Sequence, residues 1–170
     1  MRTKFFQHSD KGTWLTPRSI FEALGVKFDL DVAHPGWGNP YCCVPTRQIY
    51  TREDNGLVKP FRGFVWMNCP FAGRHSQIPW LEKFFQHHNG IALVNALTSS
   101  GWFHDLVVPQ AETILFPKGK TKFILPEDGS IATEPPNGIV LIGVGELANA
   151  ALSQCGLGWF VSNQVNGARP

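Results

Sequence analysis

An uninterrupted apolar run, Phe64-Val65-Trp66-Met67, stops abruptly at Asn68-Cys69-Pro70-Phe71, and this break restricts the possible folds more than any other feature of the chain. A strand with no polar residue on either face must be covered on both, the situation inside a parallel sheet rather than on a solvated antiparallel one. Ile91 to Asn95 reads as another buried strand, and Thr113 to Phe116, Lys122 to Leu125 and Ile139 to Val144 as further strands. Between strands, Ile78 to His88 has helical spacing with Leu81, Phe84 and Phe85 on one face, and Asn89-Gly90 closes it. A helix is also expected from about Trp102, and a last one over Glu146 to Gln154, ended by Gly156.

Nearer the start, Thr16 is a favoured helix cap and Pro17 suits the first helical position; Ile20, Phe21 and Leu24 form the apolar face, and Gly25 ends the helix. Lys27 to Val32 alternates polar and apolar residues, as a strand does. His34 to Pro45, rich in Gly and Pro, must be an irregular loop. Arg47 to Tyr50 reads as a short strand and Asp54-Asn55-Gly56 as a turn. Strands alternating with helices in this way predict a three-layer α/β domain with a mostly parallel sheet.

A chain of 170 residues fits a single domain, expected here over residues 14–165 behind a flexible polar arm, residues 1–13. With 43% hydrophobic and 16% charged residues it is globular rather than disordered. A net charge of +2 does not by itself mark a nucleic-acid binder, but Lys118, Lys120 and Lys122 form a local basic cluster. The cysteines, Cys42, Cys43, Cys69 and Cys155, suit no disulfide framework, and His34 with the first three shows no CxxC or HxxxH spacing, so no metal is expected. No secretory signal and no run of roughly 20 apolar residues is read. The expectation is a reduced, cytoplasmic protein with no membrane partner.

Four segments carry chemistry: Trp14-Leu15-Thr16-Pro17, Phe28 to Ala33 (FDLDVA), Arg52 to Leu57 (REDNGL) and Asn68 to Phe71 (NCPF). The last follows a buried strand, where open α/β sheets place ligands. An amine on an aromatic ring is a poor nucleophile because its lone pair is delocalised. An Asn side-chain oxygen and a neighbouring carbonyl can accept both amine hydrogens, favour a pyramidal nitrogen and aim the lone pair at an electrophilic methyl group. Pro fixes the backbone that carries the carbonyl, and Phe can stack on a base drawn out of a duplex. Singly, each segment has an ordinary reading as helix start, strand end or turn; their order is what points to one site. His34, His75, His87 and His88 read as surface residues, since methyl transfer from a sulfonium needs little acid catalysis.

In these segments the chain resembles phage-type DNA N6-adenine methyltransferases, whose pattern runs W-x-TP, FDLDxAA, DGL, then NPPY or NPPF. The match is close from Trp14 to Phe71 and looser through Asn95 to His104 and Lys118 to Phe123. The resemblance implies a Rossmann-like fold and methyl transfer from S-adenosylmethionine to a flipped adenine in DNA, in the cytoplasm of a bacterial host. The cofactor site it implies comprises Trp14, Thr16, Pro17, Asp29, Asp31, Ala33 and Asp54. Thr16 and Pro17 would meet the methionine end, Asp29 and Asp31 the ammonium or ribose, and Asp54 the adenosine. Asn68, the carbonyl of Cys69, Pro70 and Phe71 would hold the target, while Arg74, Lys118, Lys120 and Lys122 would contact phosphates. Four departures stand out. Cys69 replaces the family's first Pro, its thiol expected beside the substrate pocket and open to thiol reagents. His34 replaces an Ala, Leu97 and Ser99 replace an Arg and an Asp, and Gly36 and Gly38 only weakly replace a glycine-rich loop. The alternatives are an acceptor of similar shape, RNA adenine or a glutamine amide, and a catalytically impaired module that binds cofactor and DNA.

Overall fold

The computed structural model describes residues 14–71, 75–132 and 137–163; the arm at residues 1–13 and Arg74 lie outside the described residues. Helix α1 (Arg18–Leu24) starts one residue later than its sequence signals indicate. Pro17, at φ −67° and ψ 147°, occupies the cap position, and Gly25 ends the helix at φ 64°, a left-handed conformation that costs glycine nothing. Thr16 is thereby released from capping and becomes a buried residue of the site.

Strands β1 (Phe28–Asp31), β2 (Thr46–Ile49) and β3 (Val65–Met67) precede helix α2 (Ile78–His87), and β4 (Gly90–Asn95) follows it. After a π-helical turn, Phe103–Val107, come β5 (Thr113–Pro117), β6 (Ile139–Val144), helix α3 (Glu146–Gln154) and β7 (Gly158–Ser162). The strands form one seven-stranded sheet in the order β2-β1-β3-β4-β6-β5-β7. β2, β1, β3 and β4 pair in parallel, whereas β6 is antiparallel to both β4 and β5, and β7 is antiparallel to β5. The sheet is therefore mixed: β1 to β5 share one direction, and β6 and β7 oppose it.

Successive residues of the central strands enter two separate apolar clusters. Val65, Met67, Ala92, Val94, Val140 and Ile142 pack with Leu81, Phe84 and Phe85 of α2 and with Phe103 and Val107 of the π-helical turn. Trp66, Ile91, Leu93, Ile139 and Leu141 pack with Ile20, Phe21 and Leu24 of α1 and with Ala148, Ala151 and Leu152 of α3. Strand side chains alternate between faces, so this partition shows the sheet covered on both sides, as the apolar run at Phe64 requires.

Three elements differ from the sequence reading. Lys122 to Leu125 forms no regular strand; Ile124 alone makes isolated bridges, to Leu15 and to Ile131. The helix expected from Trp102 is a single π-helical turn. β7 was not expected, and it sits at the sheet edge with Trp159 and Phe160 exposed.

The shared direction of β1, β3, β4 and β5 brings the segments that follow them to one edge of the sheet. β2 lies on one side of β1 and β3 on the other, so the chain reverses its order across β1 and β3. Such a switch point opens a crevice beyond the carboxyl ends of the strands. No helix among the described residues is long and apolar enough to cross a membrane.

Candidate functional site

A cleft lies at that switch point, with about 450 Å³ of empty space counting its open mouth. Asp31 and Ala33 border it from the end of β1, Asn68 to Phe71 from the end of β3, and Trp14 to Thr16 from the segment entering α1. Pro35, Cys42, Val44 and Trp66 complete the wall. Thus Trp14, Thr16, Asp31, Ala33, Asn68, Cys69, Pro70 and Phe71 are brought together, although they are spread over 58 positions (14 to 71) of the chain.

The segment at Trp14 is fastened by backbone bonds between Leu15 and Ile124 in both directions (2.9 and 3.0 Å), and the Trp14 ring rests on Phe123 with centroids 5.6 Å apart. Asn68 ties this segment to β3: its Nδ2 donates to the carbonyl of Trp14 (2.9 Å) and to Thr16 Oγ1 (3.2 Å). The amide orientation is set by these acceptors, and Oδ1 takes no hydrogen bond from any described residue. Phe71 packs against the α1-side cluster, and Pro70 accepts a bond from the Ser76 hydroxyl through its carbonyl (3.3 Å).

Cys69 is 1% exposed, and its thiol faces the core, where Gln77 Nε2 donates to Sγ at 3.8 Å. Cys69 borders the cleft, but, against expectation, its thiol is not open to reagents: burial pushes it up to about 12, so reactive thiolate is essentially absent near neutrality. Gln77, which sequence reasoning missed, also accepts the Asn95 amide through Oε1 (3.3 Å), joining the ends of β3 and β4. Cys69 is expected to escape alkylation in the folded protein and to react only in denaturant, as read by mass spectrometry of the labelled peptides. Labelling as fast as that of half-exposed Cys155 would contradict this placement.

The three carboxylates singled out in the sequence part company. Asp31 is buried, accepts the Ala33 amide at Oδ1 (3.0 Å), and has a second oxygen without a hydrogen bond from the described residues. Burial is the main cause that lifts its carboxyl to about 7. Asp29 is directed elsewhere: its Oδ2 accepts the Phe64 amide (2.8 Å), and Arg47 lies 3.7 Å from Oδ1. It braces the sheet and does not border the cleft. Asp54 closes its own turn, accepting from the amide and hydroxyl of Thr51 and from Lys59, and the Lys59 hydrogen bond is the leading cause that holds it down at about 2.

The turn at Asp54 nevertheless packs under the end of β1. A Cβ on Gly56 would stand 2.2 Å from the Val32 carbonyl, so only glycine allows the approach. Lys83 of α2, also missed from sequence, grips the same turn by donating to the carbonyls of Gly56 and Leu57 (2.9 Å each) and of Lys59. Pro17 caps α1 next to Thr16 without bordering the cleft.

His34 is 5% exposed, which corrects its reading as a surface residue. Its Nδ1 accepts the Gly36 amide (2.9 Å), so the ring proton sits on Nε2, 3.3 Å from Cys42 Sγ. Burial holds this imidazole below its ordinary value and raises the Cys42 thiol to about 11, leaving both neutral. Lys118, Lys120 and Lys122 are exposed on the loop leaving the carboxyl end of β5, the same sheet edge as the cleft.

The crevice lies at the switch point of an α/β sheet, the place where open sheets of this class hold ligands, and is walled by an amide-bearing loop and a buried carboxyl. The family model DNA N-6-adenine-methyltransferase (Dam) matches residues 4–152, and the chain belongs to that family of DNA adenine methyltransferases. No curated protein and no solved structure matches it.

Proposed function

We propose that the chain transfers a methyl group from S-adenosylmethionine to the N6 amine of an adenine flipped out of DNA, using Asn68 to Phe71 as the loop that holds the amine. The observation that carries this reading is the anchoring of Asn68. With Nδ2 committed to Trp14 and Thr16, Oδ1 is left as a preorganised acceptor at the cleft wall. The two helix-bearing faces of the sheet support a three-layer, Rossmann-like methyltransferase domain.

The residues present fit the cofactor. Asp31 is a buried carboxyl with an uncommitted oxygen at the cleft, and a buried anion without a partner is costly unless a cation reaches it. S-adenosylmethionine, when bound, supplies an electrophilic methyl group on a positively charged sulfur. The role of Asp31 is then to accept hydrogen bonds from the ligand's ammonium or ribose hydroxyls.

Asn68 Oδ1 accepts one hydrogen of the adenine amine, and the Cys69 carbonyl accepts the other. Because the Cys69 thiol is turned to Gln77, it is the backbone of this residue that serves the cleft, and Cys in place of Pro leaves the chemistry intact. Phe71 supplies a face for the base. Asn68 Oδ1 and the Cys69 carbonyl together would hold the amine nitrogen so that its lone pair faces the methyl group that bound S-adenosylmethionine supplies. Acceptors fixed before the reaction need no reorganisation as charge develops on the nitrogen, the condition under which such groups are most effective.

Expression in a bacterial host that lacks adenine methylation tests the proposal. The genomic DNA should acquire N6-methyladenine, measured by mass spectrometry of its nucleosides, with the wild-type chain but not with Asn68→Ala. Methylation confined to RNA or to protein glutamine would favour a different planar acceptor. A protein that binds cofactor while every acceptor stays unmodified would be a binding module.

A further inference from the structure

We propose that Trp37 is a wedge that enters duplex DNA beside the target adenine and fills the gap left when that base is flipped. This inference rests on the reading of the protein as a DNA adenine methyltransferase. Trp37 is 64% exposed, an unusual state for an indole, yet it stands on an anchored loop. The His34 amide donates to the Tyr50 carbonyl (2.9 Å), and the Asn39 amide donates to the Gly36 carbonyl (3.2 Å). Asn39 then fixes the loop on both sides: its Nδ2 donates to the Pro126 carbonyl (3.1 Å), and its Oδ1 accepts the Tyr41 amide (3.0 Å).

The loop is also tied to the cleft itself. The Trp37 ring leans on His34 with centroids 5.4 Å apart, and the His34 ring bonds Cys42, which borders the cleft as Pro35 does. The segment that receives Asn39, around Pro126, continues from the loop bearing Lys118, Lys120 and Lys122. An exposed indole on the loop whose Pro35 and Cys42 border the cleft, and exposed cations at the same sheet edge, have the chemistry of a nucleic-acid surface: lysines for phosphates, an aromatic face for bases. Flipping a base leaves its neighbours unstacked, and an apolar side chain inserted at that step recovers part of the lost stacking.

The test compares Trp37→Ala and Trp37→Phe with wild type on three DNA substrates of one sequence: a duplex, the same duplex with a mismatch opposite the target, and the single strand. On the matched duplex, Trp37→Ala should lose roughly tenfold or more in kcat/KM, the scale of losing one stacking partner, and Trp37→Phe should recover part of it. On the single strand, where no helix needs holding open, both variants should match wild type, and the mismatch should narrow the gap. S-adenosylmethionine affinity should be unchanged in all three proteins. Equal activity of wild type and Trp37→Ala on the matched duplex would overturn the wedge alone, as would a loss of the same size on all substrates. A wild-type protein inactive on every DNA would overturn the methyltransferase reading and the wedge with it.

Discussion

Asp31→Asn is expected to stabilise the ligand-free protein above pH 7 while removing most of its affinity for S-adenosylmethionine. A carboxyl held at about 7 in the fold, against 3.8 for the ordinary group, binds more protons folded than unfolded between those values. Stability therefore falls as pH climbs from about 4 to 7 and carries the full loss above that. The interval corresponds to at most roughly 4 kcal/mol, and each kcal/mol regained is worth about 2–4 °C in Tm for a chain of this size. Asn keeps the acceptor for the Ala33 amide but is never charged, so the variant should melt higher than wild type at pH 8 and nearly level with it at pH 4. Binding runs the other way: losing a charged acceptor weakens S-adenosylmethionine by about 1.5–3 kcal/mol. Wild-type affinity should rise as pH passes through about 7, and the variant's should stay flat. Identical pH profiles for the two proteins in calorimetry would remove Asp31 from the cofactor site.

Asn68→Ala should lower turnover by roughly 10²–10³, the scale for removing one preorganised hydrogen-bonding group from a transition state. The same change frees the Trp14 carbonyl and the Thr16 hydroxyl, so a stability loss of about 1–3 kcal/mol accompanies it. Asn68→Asp separates the two roles, since a carboxylate keeps the acceptor and loses the donor. It should retain more activity than Ala although it disrupts the Trp14 contact. Turnover of the Ala variant within a few-fold of wild type would show that the amine is held elsewhere.

The parts of this fold visible in the sequence are those decided locally. The run from Phe64 to Met67 must be buried on both faces, and it is; Leu81, Phe84 and Phe85 share one side of a helix, and they enter one cluster. What escaped depends on partners far along the chain. β7 exists because Thr113–Pro117 offers it an edge, a pairing that nothing within Gly158–Ser162 announces. Lys122 to Leu125 has the composition of a strand, but its pairing is limited to isolated bridges at Ile124, to Leu15 and Ile131, and a few turn bonds at Phe123 and Leu125.

The site shows the same division. Asn68 to Phe71 could be named because a buried strand ending in Asn-x-Pro-Phe marks a place in the sheet, whereas Trp14, Thr16, Asp31 and Ala33 were named only through the family resemblance, and Pro35, Cys42 and Val44 not at all. Asp29 and Asp31 could not be told apart in one motif, since their difference lies in the Phe64 amide, 35 residues away, which takes up the Asp29 carboxylate. Thr16 looked like a cap because its bond to Asn68 spans 52 positions. Gln77 and Lys83 reach the site through long side chains whose targets only the fold brings near. His34 looked exposed because nothing local indicates that Trp37 and Cys42 close over it.

The most direct test of the central claim is to incubate purified protein with methyl-labelled S-adenosylmethionine and DNA of mixed sequence, digest the product to nucleosides and identify the labelled species. Label is expected in N6-methyladenine alone, greatly reduced with Asn68→Ala and with Asp31→Asn. Label in N4-methylcytosine, or label left on the protein or on added RNA while the DNA stays unmodified, would contradict it.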